Sequence, residues 1–264
     1  MSDKSKIEWC DASWNPVTGC TPVSEGCSNC YAKRMFSRNL WEYDFTPATV
    51  HPERFHEPSK WKAPRKVFVC SMGDLFHHKV VAQKWEALFT VWSIMGQLPR
   101  HTFIVLTKRP EMAYSQLHPM GDLSVHLQRQ DWCKTWPLPN VWVGTTVENQ
   151  EQADLRIPAL LQIPAAVRWV SCEPLLGPIH LDPWYFRTQQ TVAERLHHPG
   201  ALDWVVAGPE TGPGKRPCEW EWLESLMLDC HDAEIPFFLK KFADGRPVTP
   251  DRIDLRQYPE VHHA

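Results

Sequence analysis

The sequence predicts an α/β fold, an incomplete or modified (β/α) barrel of about six to seven parallel strands. Three observations predict it. Short apolar runs rich in β-branched and aromatic residues recur along the 264-residue chain, and continuous runs of this kind suit strands buried on both faces. Amphipathic helical patterns lie between several of these runs, and alternation of strand with helix implies parallel pairing. No Gly-x-Gly-x-x-Gly follows the first strand, which favours a barrel over a doubly wound dinucleotide-binding sheet.

The elements follow in chain order. A weak first strand candidate covers 14–19. The strong runs are VFVC at 67–70, FIVL at 103–106, VWVG at 141–144, VRWV at 167–170, WVVA at 204–207 and PFFL at 236–239. Val81, Trp85, Leu88, Phe89, Trp92 and Met95 repeat at helical spacing and predict one amphipathic helix. Trp220, Leu223, Met227 and Cys230 predict another, and 149–162 and 185–198 carry weaker helical patterns. No Gly/Ser linker, repeat or low-complexity tract divides the chain, so residues 1–264 read as one domain. The Pro/Trp/His-rich stretches at 41–66 and 115–140 read as long insertions or lids.

Composition narrows the function classes. At 43% hydrophobic residues a sizeable core is available, which argues against global disorder. A net charge of −3 argues against a generally basic nucleic-acid binder and leaves room only for a local basic groove. No run of about 18 apolar residues is present, so no membrane partner is expected. The opening MSDKSKIEWC lacks the apolar core of a signal peptide. A cytoplasmic protein with reduced cysteines is the expectation. The 14 Trp residues read first as core and packing mass.

Unusual polar residues gather just after the strands: Ser71-Met72-Gly73-Asp74, Thr107-Lys108-Arg109, Thr145-Thr146-Val147-Glu148, Ser171-Cys172-Glu173, Gly208-Pro209-Glu210 and Lys240-Lys241. In (β/α) barrels the site lies at the C-terminal ends of the strands. The sharpest local signal is Cys20, Cys27 and Cys30, spaced C-x6-C-x2-C. Three thiolates so close in a loop leading into a helix can converge on one metal. A structural zinc site wants four ligands; Cys10 or a distant His would have to supply the fourth. A [4Fe-4S] cluster with three protein thiolates leaves one iron open, and that is what reductive cleavage of S-adenosylmethionine requires.

In these residues the chain resembles the radical S-adenosylmethionine enzymes, and more narrowly a phage-associated three-cysteine family of unknown function. The resemblance runs through IEWCDASWNPVTGC, GCSNCYAKR, VFVCSMGDLFH, VLTKRP, WVGTTVEN, RWVSCEPLLGPI, DWVVAGPETG and PFFLKKF. The usual loop of such enzymes is C-x3-C-x2-C with an aromatic before the last cysteine. Here the first gap is six, Asn29 takes the aromatic position and Tyr31 follows. The resemblance implies a [4Fe-4S] cluster on Cys20, Cys27 and Cys30, and S-adenosylmethionine held by Ser71, Gly73, Asp74, Lys108, Thr145, Glu148 and Ser171. Glu173, Glu210 and Lys240 are the candidate catalytic residues. The implied partners are an electron donor of flavodoxin or ferredoxin type and DNA with modified bases. The implied reaction rearranges, as an isomerase would, a substituent on a hypermodified thymine.

Other readings stand beside this one. A zinc-stabilised module that binds nucleic acid or protein, without catalysis, uses the same cysteines. Glu148, Glu173 and Glu210 at strand ends also fit a barrel glycosidase, with Lys108 or Arg168 as alternative ion-pair partners. The GPETGPG segment can cradle a phosphate. His77 and His78 read as surface residues or ligands. Lys33, Arg34, Arg38, Lys240 and Lys241 can track a phosphate backbone. Trp41, Trp61, Trp132 and Trp136 can stack on an extruded base.

Overall fold

The computed structural model describes residues 5–37, 44–186 and 200–260. Nine strands are present among them: β1 (Ala12–Trp14), β2 (Val17–Thr18), β3 (Thr49–Val50), β4 (Lys66–Val69), β5 (Thr102–Thr107), β6 (Val141–Thr146), β7 (Val167–Cys172), β8 (Trp204–Ala207) and β9 (Phe237–Leu239). Seven of them form one parallel sheet in the order β1-β4-β5-β6-β7-β8-β9. Spatial order therefore equals chain order, and the sheet curls into a half-barrel. The fold is an incomplete (β/α) barrel. The run at 14–19 is not one strand: β1 ends at Trp14, and β2 pairs antiparallel with β3 in a separate ribbon.

The helices are α1 (Tyr31–Phe36), α2 (His78–Gln83), α3 (Trp85–Gly96), α4 (Pro110–Leu117), α5 (Asp122–Gln128), α6 (Gln150–Leu161) and α7 (Trp220–Asp232). The single helix expected from Val81 to Met95 is two, because Lys84 takes a non-helical conformation at φ −137°, ψ 38°. His77 starts α2, its Nδ1 accepting from the Lys79 amide. The 115–140 insertion contains α5, which packs on α3 and α4. Of the helix expected at 185–198, residues 187–198 lie outside the described residues; Pro183–Tyr185 form a 3-10 turn. Among the described residues no helix is long and apolar enough to cross a membrane.

Strand side chains alternate between two faces. On the outer face Val67, Val69, Phe103, Val105, Val141, Val143, Val170, Val205 and Phe237 join the core beneath the helices. On the inner face Phe68, Ile104, Trp142, Trp169, Trp204, Val206 and Phe238 pack with Trp9. Gly144 makes room for this layer: a Cβ there would stand 2.4 Å from Trp169 Nε1. The segments that carry Trp9 and Tyr258 bridge β4 and β8 across the interior. Trp9 packs on Phe68 and Trp204, while Tyr258 stacks on Trp204 beneath Lys66. The inner aromatics form a floor, and everything above them on the same face points into the mouth of the half-barrel.

Candidate functional site

Continuing the inner-face alternation past each strand leads to Lys108, Thr146, Ser171, Glu173 and Lys240. These residues line a cavity of about 460 Å³ whose floor includes Ile7, Trp9, Phe68 and Leu106. Cys20, Cys27 and Cys30 line the same cavity, as do Ser71, Gly73, Asp74 and Glu210. The fold thus brings together all but two of the predicted site residues. Thr145 does not reach the cavity; its hydroxyl donates to the Thr107 carbonyl at 2.9 Å, and Thr146 is the β6 residue on the cavity wall. Glu148 is also absent from the lining and is 0% exposed.

The cysteine loop is fastened at several points. Gly19 adopts φ 81°, a conformation that favours glycine, and a Cβ there would meet the Phe45 carbonyl at 2.4 Å. Its amide donates to Met72 O at 2.9 Å, and Cys20 N donates to Phe45 O at 3.1 Å. Arg109 donates from one nitrogen to Cys20 Sγ at 3.4 Å and to Asp74 Oδ2 at 2.9 Å, and from the other to Thr21 O at 2.8 Å. Asp74 also accepts from Phe76 N, Thr107 Oγ1 and Lys108 N. Four donors saturate this carboxylate, so it braces Arg109 against the first cysteine. Burial, and then Asp74, push the Cys20 thiol up to about 11, with Arg109 opposing them.

Glu148 holds the middle of the loop from behind. Ser24 Oγ donates to its Oε1 at 2.7 Å, Arg156 donates to Oε2 at 2.9 Å, and Lys108 Nζ pairs with Oε1. Burial raises the Cys27 thiol, but Lys108 and the hydrogen bonds around Val23 and Ser24 outweigh it and bring the thiol below its ordinary range. Gly26 lies against Glu148: a Cβ would stand 2.3 Å from Oε1. The carboxylate is tied by three partners and has no room to yield. Gly26→Ala is therefore expected to displace the loop and raise the reactivity of Cys27 toward an aromatic disulfide reagent; unchanged reactivity would show that the loop shifts freely here.

The segment after β8 clasps the far side. Asn29 Nδ2 donates to Glu210 Oε2 at 2.8 Å and to Gly214 O at 3.0 Å. Arg216 donates to both Glu210 oxygens, at 2.5 and 3.0 Å, and reaches the Glu25 carbonyl at 3.2 Å. The Arg216 hydrogen bonds, against burial and with help from Asn29, hold the Glu210 carboxyl down at about 2. Arg34 is engaged by the carbonyls of Thr211 and Pro213, both at 3.1 Å. The GPETGPG segment thus grips the cysteine loop instead of opening as a phosphate cradle, and Arg34 is not free to follow a nucleic-acid backbone. Lys33 is exposed; Arg38 lies outside the described residues.

Several expectations change with the packing. Trp61 packs beside His101 and Arg65, Trp132 covers Gly96, and Trp136 rests on the outer core. None of the three lines the cavity, and Trp41 lies outside the described residues. His77 is buried, with its Nε2 at 3.0 Å from Thr21 Oγ1, so it is neither a surface residue nor an open ligand; His78 is exposed. Burial and then Arg109 push the His77 ring down to about 4. Glu148 pairs with Lys108 and Arg156, not with Arg168. Glu173 pairs with Lys240; burial lowers the Lys240 ammonium but Glu173 outweighs it and raises it. A glycosidase needs two carboxyl groups facing one substrate, and here Glu148 is enclosed while Glu173 and Glu210 each hold a cation.

The donor set fits a cluster with three protein thiolates. Cys10 is turned away, its Sγ donating to Ser5 Oγ at 3.2 Å; Cys70 also borders the cavity, but it is 2% exposed and packs with the outer core. His77, the nearest imidazole to Thr21, has both ring nitrogens engaged. Among the described residues no three His, Cys, Asp or Glu side chains are gathered closely enough to hold a metal as the chain stands. Arg109 stands beside Cys20 and Lys108 beside Cys27, so a thiolate formed at either position would have a cation near it. Arg156, Arg216, Asn15, Phe45 and Trp9 were not singled out from the sequence. Asn15 accepts from Met72 N at 2.9 Å and so fixes the turn facing Gly19.

Parallel strands in chain order, with a three-cysteine cavity at their C-terminal ends, define the class: an incomplete (β/α) barrel with a strand-end site. The chain belongs to the family described as protein of unknown function DUF5131, whose model matches residues 4–255. No curated protein and no solved structure matches it.

Proposed function

We propose that this chain is a radical S-adenosylmethionine enzyme whose [4Fe-4S] cluster is held by Cys20, Cys27 and Cys30. The observation that carries the reading is that these three thiols border the same cavity as the polar residues at the strand ends. When bound, the cluster supplies one electron that cleaves S-adenosylmethionine to methionine and a 5′-deoxyadenosyl radical, which abstracts hydrogen from a substrate. Arg109 and Lys108 balance thiolate charge. Trp9, Phe68 and Leu106 keep water from the floor. Ser171, Thr146 and the Lys240–Glu173 pair present the polar groups that a zwitterionic ligand needs in a partly dry pocket. Asp74 and Glu148 act through Arg109, Lys108 and Ser24, so they support the site without touching the cofactor.

The narrower reading is rearrangement of a substituent on a modified thymine in DNA, with a flavodoxin- or ferredoxin-type donor. It rests on the resemblance, since Trp61, Trp132 and Trp136 serve elsewhere in the fold and Arg34, though it borders the cavity, is engaged by the Thr211 and Pro213 carbonyls. The test is anaerobic reconstitution with iron and sulfide, then incubation with dithionite, S-adenosylmethionine and modified-thymine DNA. Brown protein, 5′-deoxyadenosine and an altered nucleoside mass are expected. If 5′-deoxyadenosine forms and the DNA is unchanged, the substrate reading fails and the radical reading stands. A colourless protein that takes up zinc alone would replace both with the non-catalytic module.

A further inference from the structure

The loop from Cys20 to Cys30 is three residues longer in its first gap than the usual one, and little of its order is its own. It contains one 3-10 turn, Glu25–Cys27, and short bonds from Cys27 N to Ser24 O and from Cys30 N to Cys27 O. What holds it comes from outside, at points on either side of Cys27. Arg216 grips the Glu25 carbonyl before it, and Glu210 with Gly214 O grips the Asn29 amide after it. Glu210 is 5% exposed. One of its oxygens takes the terminal nitrogen of Arg216. The other takes Arg216 Nε, the Arg216 backbone amide and Asn29. Four donors, three of them from Arg216, fix this carboxylate in place and turn it toward the cysteine loop.

We infer that Glu210 is a positioning residue and not a proton-transfer group: anchored by Arg216, it holds the Asn29 amide and thereby sets the spacing of Cys27 and Cys30. The inference rests on the proposed ligation by these cysteines. It also explains why an amide stands where an aromatic is usual, since only a hydrogen-bond donor there engages the clasp.

The test compares Glu210→Gln, Glu210→Ala and Asn29→Ala with the parent chain. Glutamine keeps an acceptor for Asn29 and loses the ability to act as a base; alanine loses both. One readout is the rate of iron loss from the reconstituted protein to a chelator. The other is the rate at which Cys27 and Cys30 react with an aromatic disulfide reagent in the protein before reconstitution. Both alanine variants are expected to lose iron about 10- to 100-fold faster, the usual effect of removing a group that orients a ligand, and to expose both thiols faster. Glu210→Gln, which keeps the oxygen facing Asn29 and loses the acceptor for the Arg216 terminal nitrogen, should fall between the parent and the alanine variants in both and still form 5′-deoxyadenosine. Asn29 is half-buried, so Asn29→Ala should keep its thermal unfolding midpoint and serves if Glu210→Ala fails to fold. Glu210→Gln that retains iron like the parent but forms no 5′-deoxyadenosine overturns the inference, as do alanine variants with unchanged iron loss and thiol reactivity. If the parent itself takes up no iron, the ligation reading fails, and the thiol rates still decide whether the clasp orders the loop.

Discussion

Alanine at any one of Cys20, Cys27 or Cys30 is expected to abolish iron and sulfide binding, whereas Cys10→Ala, Cys133→Ala and Cys218→Ala retain it. The three thiols border one cavity beside Arg109 and Lys108. The other three are placed for other work: Cys10 bonds Ser5, Cys133 bonds the Thr135 carbonyl and Cys218 the Glu219 carbonyl. Burial alone pushes the Cys133 thiol up and leads the rise of Cys10 and Cys218 to about 11, and no arginine opposes it there as Arg109 does at Cys20. Iron and sulfide analysis after anaerobic reconstitution measures the outcome. A triple Cys20/Cys27/Cys30 alanine variant with its full iron content would sink the assignment, and loss of the metal in Cys10→Ala would replace it with a four-thiolate site.

Glu148→Ala is expected to cost about 3–5 kcal/mol of folding stability at neutral pH, because it leaves buried cations without their counter-charge. Arg156 has its side chain 4% exposed and Lys108 20%. The effect should depend on pH in a definite direction. Burial raises the Glu148 carboxyl, but Lys108 and Arg156 outweigh it and hold it below the ordinary value. A depressed folded-state pKa means that the unfolded chain binds the proton more readily. The stabilisation is thus present above the unfolded pKa and is lost as pH falls through the folded one. Urea unfolding of parent and variant should diverge at pH 7 and converge in acid. An equal gap at both would show that the carboxylate charge contributes nothing. Since Ser24 also hangs on Glu148, the variant should additionally bind iron more weakly.

Two of these residues show where sequence reasoning succeeds and where it stops. Glu148 and Glu210 were legible as strand-end carboxylates, because an apolar run that breaks into polar residues marks the mouth of a barrel. Their work was not legible. Arg156 is eight positions from Glu148 and Arg216 six from Glu210, and nothing local distinguishes these arginines from solvated ones. The pairings exist only because α6 folds back beneath β6 and the segment after β8 curls over the cysteine loop. The tryptophans teach the same lesson. Trp9, Trp142, Trp169 and Trp204 fill the inside of the half-barrel, while Trp61, Trp132 and Trp136 pack outside it. Aromatic character alone carries no record of which surface it meets.

By itself the sequence determined the strands from β4 to β9, their parallel pairing and the cysteine triplet, since each is written in neighbouring residues. Only the tertiary structure decided which side of each strand faces the site. All six residues of β6 are buried, so no alternation of apolar with polar marks its phase, and Thr145 and Thr146 look alike until the sheet curls. A strand buried on both faces announces itself strongly for the same reason that it hides its register. The pairs Asp74–Arg109, Glu148–Arg156 and Glu210–Arg216 were decided in the same way, by the juxtaposition of segments that only the closed half-barrel brings within hydrogen-bonding distance.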